Sequence, residues 1–85
     1  METLDSLPNI GREMVKKLHE IGIDSVKDFK DTGTEQVFLR LKAVDPGACY
    51  CMLCGIEGAM QGIRWHNLPA QRKQELKQFF EMAKK

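Results

Sequence analysis

A short hairpin near the start of the chain carries the residues best suited to binding an anion. Residues 7–11 read Leu-Pro-Asn-Ile-Gly, a turn in which the proline sets one backbone dihedral and the asparagine and glycine tolerate positive φ. Because a helix is predicted to follow directly, we expect the backbone N–H groups of Ile10, Gly11 and Arg12 to be unpaired and to face outward. Amides at the positive end of a helix dipole suit a phosphate.

Basic side chains flank this hairpin. Arg12 and Lys16 are four residues apart and share a helix face, and Lys17 lies beside them. The predicted contact surface for a nucleic-acid backbone or another partner therefore consists of Asn9, Ile10, Gly11, Arg12, Lys16 and Lys17. Two other interpretations stay open at this point: the same surface can bind an acidic protein, or the hairpin is a structural turn beside a solvated charged face.

Three cysteines are crowded into six residues, at positions 49, 51 and 54. A closed zinc site needs four ligands, and the remaining candidates, His19, His66 and the carboxylates, lie far away in sequence. All three cysteines fall on one predicted core helix, where cysteine commonly behaves as a small apolar residue. We expect no metal, and we keep a metal- or redox-responsive domain centred on Cys49, Cys51 and Cys54 as the weakest alternative.

No arrangement typical of catalysis is present. The segment His19-Glu20-Ile21-Gly22-Ile23 lacks the second histidine of the zinc-protease pattern, and no nucleophile–base pair, carboxylate pair or complete ligand set can be assembled. The spaced glycines Gly55, Gly58 and Gly62 form a small helix face that lets another helix approach, since a nucleotide-binding glycine loop would follow a strand. We therefore expect a protein that is not an enzyme and needs no cofactor.

The elements that position these residues are all helical. Apolar residues recur at helical spacing and no stretch alternates with period two, which predicts an all-α protein of about five short helices. We expect these helices at 12–21, from a cap at Asp24 or Ser25 to Gly33, from Thr34 to the stop at 45–47, at 48–62, and from about Pro69 with Asn67 as its cap.

Two of these helices bear on possible partner contacts. The helix at 48–62 is apolar nearly all round and is therefore predicted to lie at the centre of a bundle. In the last helix, Phe79, Phe80 and Met82 form an apolar patch that would serve a second hypothesis, a protein–protein or self-association module. In the helix that begins at Thr34, the apolar face of Val37, Phe38 and Leu41 is expected to extend to a buried Val44. Trp65 is expected to lock the last two helices together.

Length and charge set the outer limits. Eighty-five residues with 13 basic and 12 acidic side chains describe one domain, residues 1–85, with a single modest core. The net charge of +1 excludes a strongly basic nucleic-acid binder, so any such contact must be a local patch. No stretch reaches the length of a membrane span and no secretory signal is evident. The odd cysteine count indicates a reducing compartment, for which the cytoplasm is the default.

The hairpin sequence Leu-Pro-Asn-Ile-Gly resembles the hairpin of helix–hairpin–helix modules, usually Leu-Pro-Gly-Ile-Gly. These modules grip a DNA or RNA backbone without reading sequence. Asn9 stands where that motif has its first glycine. Asparagine can adopt the same left-handed conformation, but its side chain brings a risk of crowding a phosphate.

A wider resemblance covers residues 7–80 and concerns the C-terminal domain of the TfoX/Sxy family of bacterial competence regulators. The segments that carry it are Leu-Pro-Asn-Ile-Gly at 7–11, Leu-His-Glu-Ile-Gly-Ile at 18–23, Phe-Leu-Arg-Leu at 38–41, Glu-Gly-Ala at 57–59, Gly-Ile-Arg-Trp-His-Asn-Leu-Pro at 62–69 and Arg-Lys-Gln-Glu-Leu at 72–76.

This resemblance implies a bacterial cytoplasmic protein with a helix–hairpin–helix-like or SAM-like bundle and a role in regulating DNA-uptake genes. It also implies partners: a nucleic acid contacted without sequence preference, a transcription activator, or a separate N-terminal domain of the kind that longer family members carry and that we expect to have no counterpart here.

Overall fold

The chain forms five α-helices and two short 3-10 turns in the computed structural model, which describes residues 3–83. The helices α1 to α5 span Arg12–Glu20, Val26–Thr32, Thr34–Val44, Tyr50–Gln61 and Ala70–Ala83, and the 3-10 turns are Leu4–Ser6 and Trp65–Asn67. Within the described range no residue lies in a strand. The predicted all-α class with about five helices is therefore confirmed.

Local residue preferences place most helix ends close to where the pattern predicted them. The Ser25 hydroxyl accepts a hydrogen bond of 3.0 Å from the backbone N–H of Asp28 and caps α2. Gly22 and Gly62 follow α1 and α4 with φ of +86° and +75°, the left-handed region that ends helices. Asn67 as cap of α5 is wrong, because it ends the second 3-10 turn three residues before α5 begins.

The core is built around α4, as its all-round apolar pattern predicted. Leu53, Ile56 and Ala59 of α4 are fully buried, and α4 packs against both α3 and α5. The expectation that Val44 is buried is wrong, since its side chain is 49% exposed. Val44 is the last residue of α3, where the chain leaves the core.

Aromatic contacts hold α5 against α3. The ring of Phe38 lies 6.4 Å from that of Phe79 and 5.9 Å from that of Phe80, distances typical of attractive aromatic pairs. The hydroxyl of Tyr50 donates a 2.9 Å hydrogen bond to the Lys73 carbonyl and so joins the start of α4 to α5. Of the apolar patch predicted at 79, 80 and 82, only Met82 remains largely exposed, at 72%.

A polar cluster centred on Arg72 joins α3, α4 and α5. The Arg72 guanidinium donates to Glu57 at 2.8 Å, to Glu35 at 2.9 Å and to Glu75 at 3.2 Å. Glu57 is only 6% exposed. Its carboxylate also accepts hydrogen bonds from the Thr34 hydroxyl at 2.7 Å and from the side-chain amide of Gln61. The buried carboxylate is therefore fully satisfied, as burial of a charge requires.

The electrostatics of this cluster follow from its contacts. Burial pushes the pKa of Glu57 upward, but hydrogen bonds from Arg72, Gln61 and Thr34 outweigh it and hold the pKa below its ordinary value. The same pairing with Glu57, ahead of Glu35 and Glu75, raises the pKa of Arg72. Both groups are consequently charged at neutral pH, and the cluster fastens three helices together.

Candidate nucleic-acid interface

The hairpin at 7–11 closes through its own backbone. The N–H of Ile10 donates to the Leu7 carbonyl at 3.3 Å, the bond that spans a four-residue turn, and the Ile10 side chain is buried. The expectation that the Ile10 amide is unpaired is therefore wrong. Ile10 supports the hairpin from within the core and does not present a donor.

Asn9 adopts the left-handed conformation that the motif requires, with a φ of +67°. Its side-chain amide donates to the carbonyls of Gly55 at 3.4 Å and Ile63 at 3.2 Å. This –NH₂ group is therefore committed to α4 and to the loop that follows it. The side chain that we expected near a phosphate instead fastens the hairpin to the rest of the bundle.

Gly58 makes that docking sterically feasible. A Cβ at this position would lie 2.6 Å from Nδ2 of Asn9, 2.7 Å from the carbonyl oxygen of Ile63 and 3.1 Å from the backbone nitrogen of Trp65. Gly58, with Gly55, whose Cβ would lie 3.6 Å from that of Asn9, thus admits the hairpin and the loop at 63–65, and the prediction that this face admits another helix is wrong. Gly62 does not belong to the face, because it lies beyond the end of α4 and a Cβ there would meet nothing within 4 Å.

The outer side of the hairpin keeps its donors. The N–H groups of Gly11 and Arg12 make no hydrogen bond to any residue between 3 and 83, and Gly11, the residue that precedes α1, has no side-chain cap. Gly11 and Arg12 are exposed, and a Cβ built on Gly11 meets nothing within 4 Å, so the backbone of Gly11 borders open space. Unbonded donors at a helix start that face open space are the physical requirement for anion binding.

The three basic side chains of α1 differ in how they are used. Arg12 and Lys16 are exposed and form no ion pair with any residue in the described part of the chain. Lys17 instead donates to Asp45 at 2.7 Å, and this hydrogen bond raises the pKa of Lys17 and lowers that of Asp45. Of the predicted cations, Arg12 and Lys16 are available to a ligand, whereas Lys17 already has a partner.

Two further charged groups lie on segments that form or contact the hairpin. Glu13 is exposed in the first turn of α1 and opposes an approaching anion. Arg64 follows Ile63, whose carbonyl accepts from Asn9, and is exposed. The contact-surface prediction omitted Arg64 because its neighbourhood with the hairpin depends on a bond between residues more than fifty positions apart.

The loop after α4 is organised around Trp65. The ring of His66 stacks on Trp65 with centroids 4.0 Å apart, and the ammonium of Lys73 lies 5.9 Å from the indole centroid while donating to the His66 carbonyl at 3.3 Å. Trp65 is partly buried against the core. These contacts fit the predicted structural role of Trp65 between the last two helices.

The cysteines do not converge on a metal. Cys49 and Cys51 are exposed at the start of α4, whereas Cys54 is buried, and burial raises the pKa of its thiol. Among residues 3–83 no group of three or more histidine, cysteine or acidic side chains is placed to hold a metal ion. The metal alternative gains no support from this geometry.

Within residues 3–83, no helix has the length and apolar character needed to cross a membrane.

The all-α bundle and its docked hairpin agree with what sequence comparison finds. The TfoX C-terminal domain family matches residues 1–80, so the chain belongs to that family, as its motifs predicted. Protein Sxy of Escherichia coli (strain K12) is 35% identical over 75 residues, which are 88% of this chain and 36% of that protein. The chain thus spans about a third of the length of this relative.

Solved structures reproduce the fold. A crystal structure of an uncharacterized protein from Listeria monocytogenes, triclinic form, superposes with a TM-score of 0.95 at 40% identity and covers 98% of this chain and 94% of that chain. A tetragonal-form crystal structure of a protein of unknown function from Listeria monocytogenes gives a TM-score of 0.89 at 42% identity, covering 93% and 96% of the two chains.

Proposed function

We propose that this protein is a regulatory interaction module, not an enzyme, whose hairpin surface contacts the phosphate backbone of a nucleic acid. The observation that carries the proposal is the combination of two features of the described residues 3–83: the N–H groups of Gly11 and Arg12 have no hydrogen-bond partner there, and the exposed cations Arg12 and Lys16 have no ion pair there. Amides fix the position of a phosphate, and neighbouring cations supply the attraction.

Whether the contact depends on the nucleotide sequence follows from the chemical groups at the surface. Backbone amides and flexible cationic side chains bind phosphate and sugar oxygens, which carry no base information. The net charge of +1 limits the long-range attraction, so binding depends on a few local contacts and is weak at physiological salt. We expect DNA binding without sequence preference.

Membership of the TfoX C-terminal domain family and the likeness to protein Sxy support a role in the regulation of competence for DNA uptake. In this role the module acts in the bacterial cytoplasm alongside a transcription activator or a separate N-terminal domain. Its weak backbone contact then adds to the affinity of the assembly, since linked weak contacts combine.

The proposal is tested by titrating a labelled DNA duplex of about two helical turns with the 85-residue chain at several salt concentrations. We expect affinity to fall between about 50 mM and 200 mM salt with a slope set by the number of phosphates contacted. Arg12→Glu should weaken binding at every salt concentration.

Arg40→Glu is the matched control, because Arg40 is also exposed and also lacks an ion pair within residues 3–83, but it lies on α3. Equal weakening by the two variants would indicate general charge attraction and contradict a hairpin site. Absence of binding at low salt would contradict the proposed function and favour protein contact, for which the 72% exposed Met82 on α5 is the first position to vary.

A further inference from the structure

We infer that Arg64 is a phosphate-contact residue of the same interface, so that the nucleic-acid backbone is held by two chain segments rather than by the hairpin alone. This inference rests on the proposed function. It adds a residue that lies outside the predicted hairpin surface and sits in the loop between α4 and α5.

The first step is the position of the Arg64 backbone. The Asn9 amide donates to the Ile63 carbonyl at 3.2 Å, and that carbonyl belongs to the same planar peptide unit as the Arg64 nitrogen. Arg12 follows Asn9 by three residues, which span at most about 11 Å. The backbones of the two arginines therefore lie on adjoining segments, joined through the side chain of Asn9.

The second step is that nothing in the described protein uses the Arg64 charge. Its side chain is exposed, and it forms no hydrogen bond or ion pair with a residue between 3 and 83. By contrast, the ammonium of Lys73 on α5 is engaged with the His66 carbonyl and the Trp65 ring of this loop. Arg64 is thus the cation of this loop that is free to meet a ligand.

The third step concerns the kind of ligand. Arg12, Lys16 and Arg64 are exposed and form no ion pair with a residue between 3 and 83, and they lie on α1 or on the loop to which Asn9 is bonded. The exposed carboxylates of α1, Glu13 and Glu20, oppose them. Repeated negative groups along a chain, as in a phosphate backbone, match such a spread of cations better than a single anion does. A guanidinium also binds phosphate oxygens in a bidentate manner. The charge arrangement therefore favours a nucleic-acid backbone.

The experiment compares four forms of the 85-residue chain on the same labelled duplex: the unmodified protein, Arg64→Gln, Arg12→Gln and Arg40→Gln. Each variant removes one exposed arginine, so the change in net charge is identical. Circular dichroism confirms that each is folded, which we expect because all three side chains lie outside the core.

Arg64→Gln is expected to reduce the slope of log K against log salt by about 0.9, the value for one lost phosphate contact. Arg12→Gln should do the same, and Arg40→Gln should change the slope by much less. If Arg64→Gln behaves like Arg40→Gln while Arg12→Gln weakens binding, the role of Arg64 is overturned and the proposed function survives. If the unmodified protein does not bind, the proposed function is overturned and Arg64 with it.

Discussion

Two arginines of this small domain differ in whether the protein itself neutralises their charge. The difference distinguishes an arginine that stabilises the fold from one that is available to a ligand. Arg72 is surrounded by three carboxylates and joins α3, α4 and α5. Arg12 stands exposed beside open backbone amides and has no carboxylate partner within residues 3–83. The first arginine satisfies a buried charge inside the protein, whereas the second leaves its charge to the solvent or to a ligand.

The same contrast runs through the glycines. Gly58 is enclosed by Asn9, Ile63 and Trp65, while a side chain on Gly11 would meet only open space. In the interior of the bundle, Arg72 and Gly58 allow separate chain segments to pack closely. At the hairpin surface, the same residue types, Arg12 and Gly11, remain accessible to a ligand. The same substitution made at an interior position and at its hairpin counterpart should therefore affect stability in the first case and leave it nearly unchanged in the second.

The largest effect is expected for Arg72→Met. It leaves Glu57, which is 6% exposed, without its main counter-charge, and loss of one partner from a buried pair is costly. Because Arg72 itself is partly exposed, we expect a loss of about 2–3 kcal/mol in unfolding free energy, measured by urea denaturation.

Arg12→Met is the matched control and should change the unfolding free energy by less than about 0.5 kcal/mol, as for other surface substitutions. An equal loss in the two variants would contradict the division between a structural and a free arginine.

A smaller loss is expected for Gly58→Ala. The added methyl group meets Nδ2 of Asn9 and the carbonyl of Ile63 at distances below 3.0 Å, so the hairpin must shift away from α4. We expect about 1–2 kcal/mol of destabilisation, within the range for overpacked interiors, measured as a lowered urea midpoint.

Gly11→Ala serves as its counterpart because its φ of −103° suits alanine and its Cβ has space. It should leave stability nearly unchanged but weaken binding of the duplex, because the methyl group keeps a phosphate from the amides. Unchanged binding would show that the ligand does not approach this part of the backbone.

Acid should weaken the Arg72 cluster before it affects the hairpin. The pKa of Glu57 is lower in the folded protein than its ordinary value of 4.5, so the unfolded state binds this proton first as pH falls. The stabilisation is therefore present above about pH 4.5 and is lost as pH falls through the lower folded value.

Glu57→Gln cannot titrate and should lose less stability on acidification than the unmodified protein does. We expect the difference in urea midpoint between the two to shrink from pH 7 to about pH 3. A constant difference over this interval would contradict the assignment of Glu57 as a stabilising carboxylate.

The smallest effects are expected for the two neighbouring lysines of α1. Lys16→Gln removes a cation that has no ion pair within residues 3–83 and should reduce the salt slope of duplex binding by about 0.9. Lys17→Gln removes a cation already bonded to Asp45 at 2.7 Å and should reduce the slope less. The reverse order, measured on the same labelled duplex, would show that Asp45 releases Lys17 to the ligand.

Local preferences explain why much of the fold was predictable from sequence. The left-handed turn at Asn9, the cap at Ser25 and the glycine at the end of α4 each depend on a few neighbouring residues. The all-round apolar pattern of α4 likewise indicated its central position. These features are decided by residue type and helical spacing, which the sequence displays directly.

The pairings between distant residues were not predictable in the same way. Lys17 meets Asp45 across 28 positions and Asn9 meets Ile63 across 54, and no local pattern announces either bond. One signal in the sequence does indicate such a pairing: Glu57 is the sole charged residue of α4. A lone carboxylate in an otherwise apolar helix indicates a buried partner, which proved to be Arg72.

The central claim is that the open amides of the hairpin meet a nucleic-acid backbone, and amide chemical shifts test it most directly. A ¹⁵N-labelled sample titrated with unlabelled duplex should show its largest shift changes at Gly11, Arg12 and Glu13, with smaller changes around Arg64. The amides of α5 near Met82 should be unaffected. Changes centred on α5, or none at low salt, would contradict the account.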